Sequence, residues 1–422
     1  LLEESIQMVY DEFTMTEYDV PRRMRRLLKL VKKNTAWDPD ELTSDRIAQL
    51  NGVSLPSNML IRRLFGRPAR NITTKTFVIP VNDGKVTGYL YEKEGSRGIS
   101  DLLPLIIYYH GGGWVWGNMD LYNIICAHLA DVTGATVLSV DYRLAPQHRF
   151  PTAVEDCYNT LLWATAGCRY WKNDPDRIFL VGDSAGGNLA AVVSRLARDR
   201  KGPAIEGQVL IYPITDGRMR TASYAKYKDS PTLTDRQMAF YIHNYQREPK
   251  DTLDPNFSPL LAKDHSRLPP TLIIGAEYDP LRDDGVLYAD ALASADTPVK
   301  YLEVKKGLHG FFAYPKAAGT DEAQSAITQF IRGKPVEQVA LIGKKEWLKA
   351  EKLELKKIKK QAKHYVETEI GRLSLTYDRK LSPSTIGSEA GLENMFTFLK
   401  VPTPVMFLCP FLSDHWPAAA LL

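Results

Sequence analysis

The sequence predicts an α/β fold on an eight-stranded, mostly parallel sheet flanked by helices, and three observations carry that expectation. Short β-branched runs alternate with helix-length segments through the middle of the chain. A hairpin signal precedes them, and it supplies the only antiparallel start. The chain, at 422 residues, is long enough to bury a large core without disulfide or metal staples.

In chain order, residues 1–70 carry helical spacing and many charges, as in Pro21–Lys33, where Met24, Leu27, Leu28 and Val31 share one face. Thr73–Pro80 and Val86–Tyr91 read as strands joined by a turn at Asn82-Asp83-Gly84. Further strand-like runs are Leu103–Tyr109, Ala135–Val140, Ile178–Gly182, Gln208–Tyr212, Pro270–Gly275 and Val299–Val304. Helical candidates between them include Tyr122–Val132, Ala153–Thr165, Asn188–Arg200 and Gly285–Ser294. Thr215–Leu268 has no strong strand signal and reads as a helical insertion. Such alternation makes a sheet covered on both faces, whose working residues lie beyond the carboxyl ends of the strands.

Composition narrows the class. Apolar residues at 44% and charged ones at 25% exclude disordered, collagen-like and fibrous chains. Cys126, Cys157, Cys168 and Cys409 form no C-x-x-C pair, so neither a zinc site nor a disulfide framework is suggested. They read as buried small hydrophobes in a reducing compartment, which makes a cytoplasmic location the default expectation. Of the net charge of +4, residues 343–364 contribute +6, so the remainder is slightly acidic and no nucleic-acid partner is expected. No apolar run reaches the roughly 18 residues that a membrane span needs. Leu1 rather than Met leads the chain, which leaves room for a removed leader.

The chemistry begins at Ile178-Phe-Leu-Val-Gly-Asp-Ser-Ala-Gly-Gly-Asn, an apolar strand running through G-x-S-x-G into a helix. That context puts Ser184 on a sharp strand-to-helix turn that pushes its hydroxyl into the open, with Gly182 and Gly186 permitting the close approach. The helix start and the Ala185 N–H lie where negative charge would develop. A serine hydroxyl needs a base and an orienting acid. Of eight histidines, His309 alone follows the last strand between glycine-rich residues. His128, His243 and His364 fall in helical patterns, and His148, His265 and His415 in polar loops. The acid should come from Glu277, Asp279, Asp283 or Asp284 after the preceding strand. Asp279 is favoured, since Asp283 and Asp284 fall at the following helix, where acids serve the first turn. His110-Gly-Gly-Gly ends another strand, and its glycines let successive N–H groups converge on one oxygen.

With those residues in view, the chain resembles the hormone-sensitive-lipase-like branch of the α/β-hydrolases, the carboxylesterase and acetyl esterase group. The resemblance rests on His110-Gly-Gly-Gly-Trp, Asp141-Tyr-Arg-Leu-Ala-Pro-Gln-His-Arg-Phe-Pro, Gly182-Asp-Ser-Ala-Gly-Gly, Asp279-Pro-Leu-Arg-Asp and His309-Gly-Phe. It implies Ser184 as nucleophile, His309 as base, Asp279 as orienting acid, and Gly111, Gly112, Gly113 and Ala185 as the oxyanion hole. It also implies a small-molecule acyl ester of short to medium chain as substrate, with no metal or cofactor. Gln147 stands where the family usually has Glu, which would leave Arg143 without an ion-pair partner.

The implied organisation is an N-terminal helical cap over 1–70 and a hydrolase core over 71–332 with a cap insertion at 215–268. Tyr224, Tyr227, Phe240, Tyr241 and Tyr245 are candidate pocket walls and equally candidate helix core. Residues 333–422 lie outside the resemblance. Their lysine-rich segment, 343–364, reads as a solvated helix, with an anionic membrane surface as the sharper alternative. Two rival functions use the same residues: an amidase or deacylase, and a non-catalytic small-molecule receptor. The filled triad positions argue against the receptor. Oligomeric state is not legible.

Overall fold

The structure is a computed structural model. It describes residues 42–52, 65–66, 69–95, 102–117, 119–315, 317 and 319–334, together with Tyr18, Arg25 and Leu28. The chain divides into two units, Leu1–Lys344 and Lys345–Leu422, and the described residues belong to the first. The lysine-rich segment, His364, Cys409 and His415 lie outside the described residues.

Eight strands form one sheet in the order β1-β2-β4-β3-β5-β6-β7-β8. The antiparallel hairpin is β1 (Ile72–Val81) and β2 (Gly84–Lys93), and Asp83 at its tip takes φ 57°, a left-handed conformation that Asp tolerates. β2 also pairs antiparallel with β4 (Thr136–Asp141). All other pairings are parallel, through β3 (Leu103–Tyr109), β5 (Asn173–Asp183), β6 (Gly207–Ile211), β7 (Thr271–Tyr278) and β8 (Val299–Leu308).

Helix α1 (Ser44–Asn51) precedes the sheet, and α2 (Met119–Thr133), α3 (Thr152–Gly167), α4 (Ala185–Asp199) and α7 (Arg282–Ser294) follow its strands. α5 (Ala222–Lys226) and α6 (Asp235–Tyr245), with 3₁₀ turns at Pro249–Leu253 and Pro259–Leu261, fill the long β6–β7 connection. The last helix among the described residues, α8 (Thr320–Ile331), has no counterpart among the sequence-based candidates.

The pleat sorts the core into two layers. Leu105, Ile107 and Tyr109 of β3 pack with Leu189, Val192 and Val193 of α4 and with Leu161 of α3. The intervening Ile106 and Tyr108 face Ile125 and Leu129 of α2, in the layer that also holds Ile327 of α8. Tyr245, offered as a pocket wall, is core: it is fully buried and stacks on Trp114 at 4.4 Å. The described cysteines, Cys126, Cys157 and Cys168, are buried and free.

Two expectations need correction. β5 begins at Asn173, well before Ile178, where it pairs with Leu103 of β3, Leu103 N–H donates to Lys172 O at 3.2 Å, and Asn173 Nδ2 adds bonds to Leu103 O at 3.1 Å and to Thr136 Oγ1 at 2.8 Å. This pairing takes in a polar stretch that hydrophobic patterning cannot assign to a strand. Arg143, in turn, does not lack a partner. Its Nη2 lies 2.6 Å and its Nε 2.9 Å from the two oxygens of fully buried Asp156, and Nη2 also donates to Asn82 O at 2.9 Å. The carboxylate comes from α3, thirteen residues later, rather than from position 147. Gln147 instead donates to Ser44 O at 2.9 Å.

Candidate active site

Parallel strands bring their carboxyl ends to one edge of the sheet, and five of them deliver the parts of this site. β5 ends at Asp183, and Ser184 follows with φ 55° and ψ −118° before α4 begins. That strained backbone costs of order 1–3 kcal/mol. It is held by Ser184 N–H donating to Ile211 O on β6 at 2.8 Å. The hydroxyl does not reach open solvent, as the turn alone suggested. Ser184 is only 6% exposed.

His309 follows β8 directly, with Gly310 at φ 77° turning the chain behind it. Its Nε2 lies 3.0 Å from Ser184 Oγ and its Nδ1 2.8 Å from Asp279 Oδ2. A carboxylate only accepts, so Nδ1 carries the proton and Nε2 is left to accept from the serine hydroxyl. Asp279 follows β7, is fully buried, and is oriented by Leu281 N–H donating to Oδ1 at 2.8 Å.

The other acids are engaged elsewhere. Glu277 accepts from Lys306 N–H at 2.8 Å, and Asp283 from Ser223 N–H at 2.9 Å. Asp284 accepts from Thr215 and Asp216 N–H at 2.8 and 3.0 Å. Asp283 and Asp284 therefore do more than complement a helix terminus, since they tie the β6–β7 connection to α7. The other histidines are also accounted for: His128 meets Gln324 at 3.0 Å, His265 meets Pro259 O at 3.2 Å, and His148 and His243 are exposed.

The backbone groups of the glycine loop after β3 are engaged unevenly. Gly111 N–H is taken by Tyr122 Oη at 2.9 Å and Asp183 Oδ1 at 3.0 Å, which removes Gly111 from the candidate oxyanion donors. Gly111 O accepts from His110 Nδ1 at 2.8 Å, and His110 O accepts from the Tyr142 hydroxyl at 2.7 Å. Gly112 O accepts from the Val115 and Trp116 N–H groups at 3.1 and 2.8 Å. Among the described residues, no protein acceptor meets the N–H groups of Gly112, Gly113 or Ala185. Gly112 and Gly113 sit at φ 115° and 62°, where a side chain would be strained. α1 braces the far end of the loop, with Asn51 Nδ2 donating to Val115 O at 2.8 Å and Gly117 N–H donating to Asn51 Oδ1 at 3.1 Å.

His110 is fully buried and stacks on Tyr142 at 4.2 Å. Burial drives its imidazole from the ordinary 6.5 down to about 4, with the bond to Gly111 opposing. The unfolded chain therefore binds more protons between those two values. Stability is complete above pH 6.5 and is lost as pH falls toward 4, by roughly 3 kcal/mol for this one group. Urea midpoints from pH 7 to 4.5 should fall less steeply in His110→Asn than in the wild type. Parallel slopes would remove His110 from the acid response.

Sequence reasoning missed Tyr108, Tyr122, Asp183 and Tyr212. Tyr212 follows β6, has φ 35°, and holds its ring 4.6 Å from the His309 imidazole. Its position just past a parallel strand was the available signal. Nothing in local spacing marks the two other tyrosines. Among the described residues, no helix is long and apolar enough to cross a membrane.

This sheet order, with a G-x-S-x-G turn after β5, is the α/β-hydrolase arrangement. Residues 106–313 match the family described as alpha/beta hydrolase fold. The chain is similar to the carboxylic ester hydrolase LipN of Mycobacterium tuberculosis, 36% identical over 305 residues, which span 68% of this chain and 80% of that one. It is also similar to the esterase LipI of the same organism, at 39% identity over 57% of this chain and 74% of that one. Among solved structures, a hyperthermophilic esterase from Pyrobaculum calidifontis superposes with a TM-score of 0.67 at 34% identity, covering 74% of this chain and 98% of that one. The chain belongs to the hormone-sensitive-lipase-like carboxylesterase family of α/β-hydrolases. It is a carboxylic ester hydrolase.

Proposed function

We propose that the chain cleaves short- to medium-chain acyl esters by acyl transfer through Ser184. The observation that carries this reading is the relay of two hydrogen bonds, Asp279 to His309 and His309 to Ser184, at 2.8 and 3.0 Å. His309 Nε2 takes the hydroxyl proton as Ser184 Oγ attacks the ester carbonyl carbon. The resulting oxyanion is received by the N–H groups of Gly112, Gly113 and Ala185, which meet no protein acceptor among the described residues. The tetrahedral adduct collapses, the C–O bond to the alcohol breaks, and His309 returns its proton to the leaving oxygen. Water, deprotonated by the same imidazole, then releases the acid and restores Ser184. Asp279 keeps its hydrogen bond to Nδ1 and steadies the imidazolium.

The cap is assigned to residues 1–70 and 215–268, on a core over 71–332. Support for a small acyl pocket comes from Tyr241 of α6. Its ring lies so close to the loop that a Cβ on Gly113 would sit 2.3 Å from it. That aromatic leaves little room for a long chain beside the oxyanion donors.

The test is hydrolysis of p-nitrophenyl esters from acetate to palmitate by the wild type and Ser184→Ala. Turnover should peak among the short acyl chains and vanish in the variant. A maximum at palmitate would overturn the pocket size. Ester turnover that survives in Ser184→Ala would overturn the mechanism.

A further inference from the structure

We propose that Asp183 is a positioning residue that holds the glycine loop in its oxyanion-binding conformation, acting through Gly111. The proposal rests on the acyl-transfer reading above and concerns a residue with no role in that chemistry.

Asp183 is the last residue of β5 and the covalent neighbour of Ser184. Its Oδ1 accepts from Gly111 N–H at 3.0 Å and from the Tyr108 hydroxyl at 2.8 Å. Its Oδ2 accepts from the Tyr122 hydroxyl at 3.2 Å, and that hydroxyl oxygen also receives Gly111 N–H at 2.9 Å. The carboxylate therefore joins three elements: β3 through Tyr108, α2 through Tyr122, and the loop through Gly111. The fit has no slack, because a Cβ on Gly111 would lie 2.5 Å from Asp183 Oδ2.

The consequence for the loop follows from its composition. Three consecutive glycines have the largest conformational entropy of any tripeptide, so without an anchor their N–H groups would sample many directions. Tying down the first one fixes where the next two begin. The anchor is attached to the residue before the nucleophile, so one side chain sets the spacing between Ser184 and its oxyanion donors. Displacements of an ångström at such donors are costly, because their stabilisation depends on alignment with the transition-state oxygen.

The role needs an acceptor at this position rather than a charge. Burial pushes the Asp183 carboxyl above the usual carboxylate range, while the three donors oppose that shift. A full negative charge behind the loop would also disfavour an oxyanion in front of it. An asparagine keeps the Oδ1 acceptor for Gly111 and Tyr108, so it should restore most of what an alanine loses.

Four variants of the full chain test this: Asp183→Ala, Asp183→Asn, Tyr122→Phe and, as control, Tyr109→Phe. The Tyr109 hydroxyl donates to Cys157 O at 3.1 Å, a buried bond of the same kind on the opposite face of β3. Each is assayed for kcat and KM on p-nitrophenyl acetate, for Tm, and for inhibition by butylboronic acid, which forms a tetrahedral adduct on serine. Asp183→Ala should lower kcat roughly 10- to 100-fold and weaken the boronic acid in parallel, with KM changed by less than about threefold. Asp183→Asn should recover most of the loss, Tyr122→Phe should fall between, and Tyr109→Phe should lower Tm alone. If Asp183→Ala does not fold, Tyr122→Phe decides. Loss of Tm with kcat and boronic acid affinity unchanged would reduce Asp183 to a structural residue and overturn the proposal. That outcome differs from failure of the parent reading, in which Ser184→Ala itself keeps its ester turnover.

Discussion

Ser184→Ala is expected to lower kcat on p-nitrophenyl acetate by roughly 10⁵- to 10⁶-fold, with KM little changed. On the proposed mechanism the loss is this large because the variant has no nucleophile and hence no covalent route. What remains is the polarising effect of Gly112, Gly113 and Ala185 on a carbonyl attacked by water, worth roughly 10³- to 10⁴-fold over the uncatalysed reaction. His309→Ala should cost nearly as much, since Ser184 Oγ then has no base within 3.0 Å. The double variant should be no worse than either single one, because the two residues act as a unit. Asp279→Asn should cost about 10⁴-fold, chiefly by favouring the wrong imidazole tautomer at the 2.8 Å contact. Steady-state kinetics, with protein concentration fixed by absorbance, checks all four. Additive losses in the double variant would break the two-residue unit and with it the proposed mechanism.

The largest loss of stability is expected from Gly186→Ala. A Cβ there would lie 1.9 Å from Tyr109 O, 2.5 Å from Tyr109 C and 2.6 Å from His110 O. These are backbone atoms, and they cannot step aside, because Tyr109 is registered against Gly182 in the β3–β5 ladder. Gly182 is equally confined, with a Cβ only 2.3 Å from Gly186 O. Relief would require strand and helix to separate at the point where both are most tightly packed. The expected cost exceeds about 4 kcal/mol, in the range reserved for disrupted cores. Gly134→Ala provides the contrast. Its φ of 73° strains a side chain, yet nothing lies within 4 Å, so about 1–2 kcal/mol should be lost. Urea denaturation of both variants separates steric overlap from backbone strain. Equal midpoints would show that the overlap at Gly186 relaxes.

Much of this was readable one residue at a time. The strands of the parallel sheet announce themselves because burial on both faces selects apolar, β-branched runs. The nucleophile turn is legible because a steep chain reversal under close packing demands glycine two places either side of Ser184. His309 and Asp279 were found by the same logic, since strand ends are where such a sheet exposes side chains. The start of β5 was not legible. Its first residues are polar, and they join the ladder by backbone pairing of Asn173 with Leu103 on β3, to which the Asn173 side chain adds bonds to Leu103 O and Thr136 Oγ1. The partner of Arg143 was likewise hidden, because Asp156 sits on a helix and meets it through the fold rather than through a motif.

The sequence by itself determined the sheet, the order of its strand ends, and the choice of Ser184, Asp279 and His309 as the proposed triad, three side chains that the fold links by hydrogen bonds through His309. Periodicity and local backbone demands are written into adjacent residues. Only the tertiary structure decided which glycine N–H groups lack an acceptor among the described residues. Gly111, Gly112 and Gly113 are identical in sequence, and they differ because Asp183 and Tyr122, 72 and 11 residues away, take the first one. Hydrogen-bond satisfaction depends on what the fold brings within about 3 Å. That proximity is a property of three dimensions, and no local pattern encodes it.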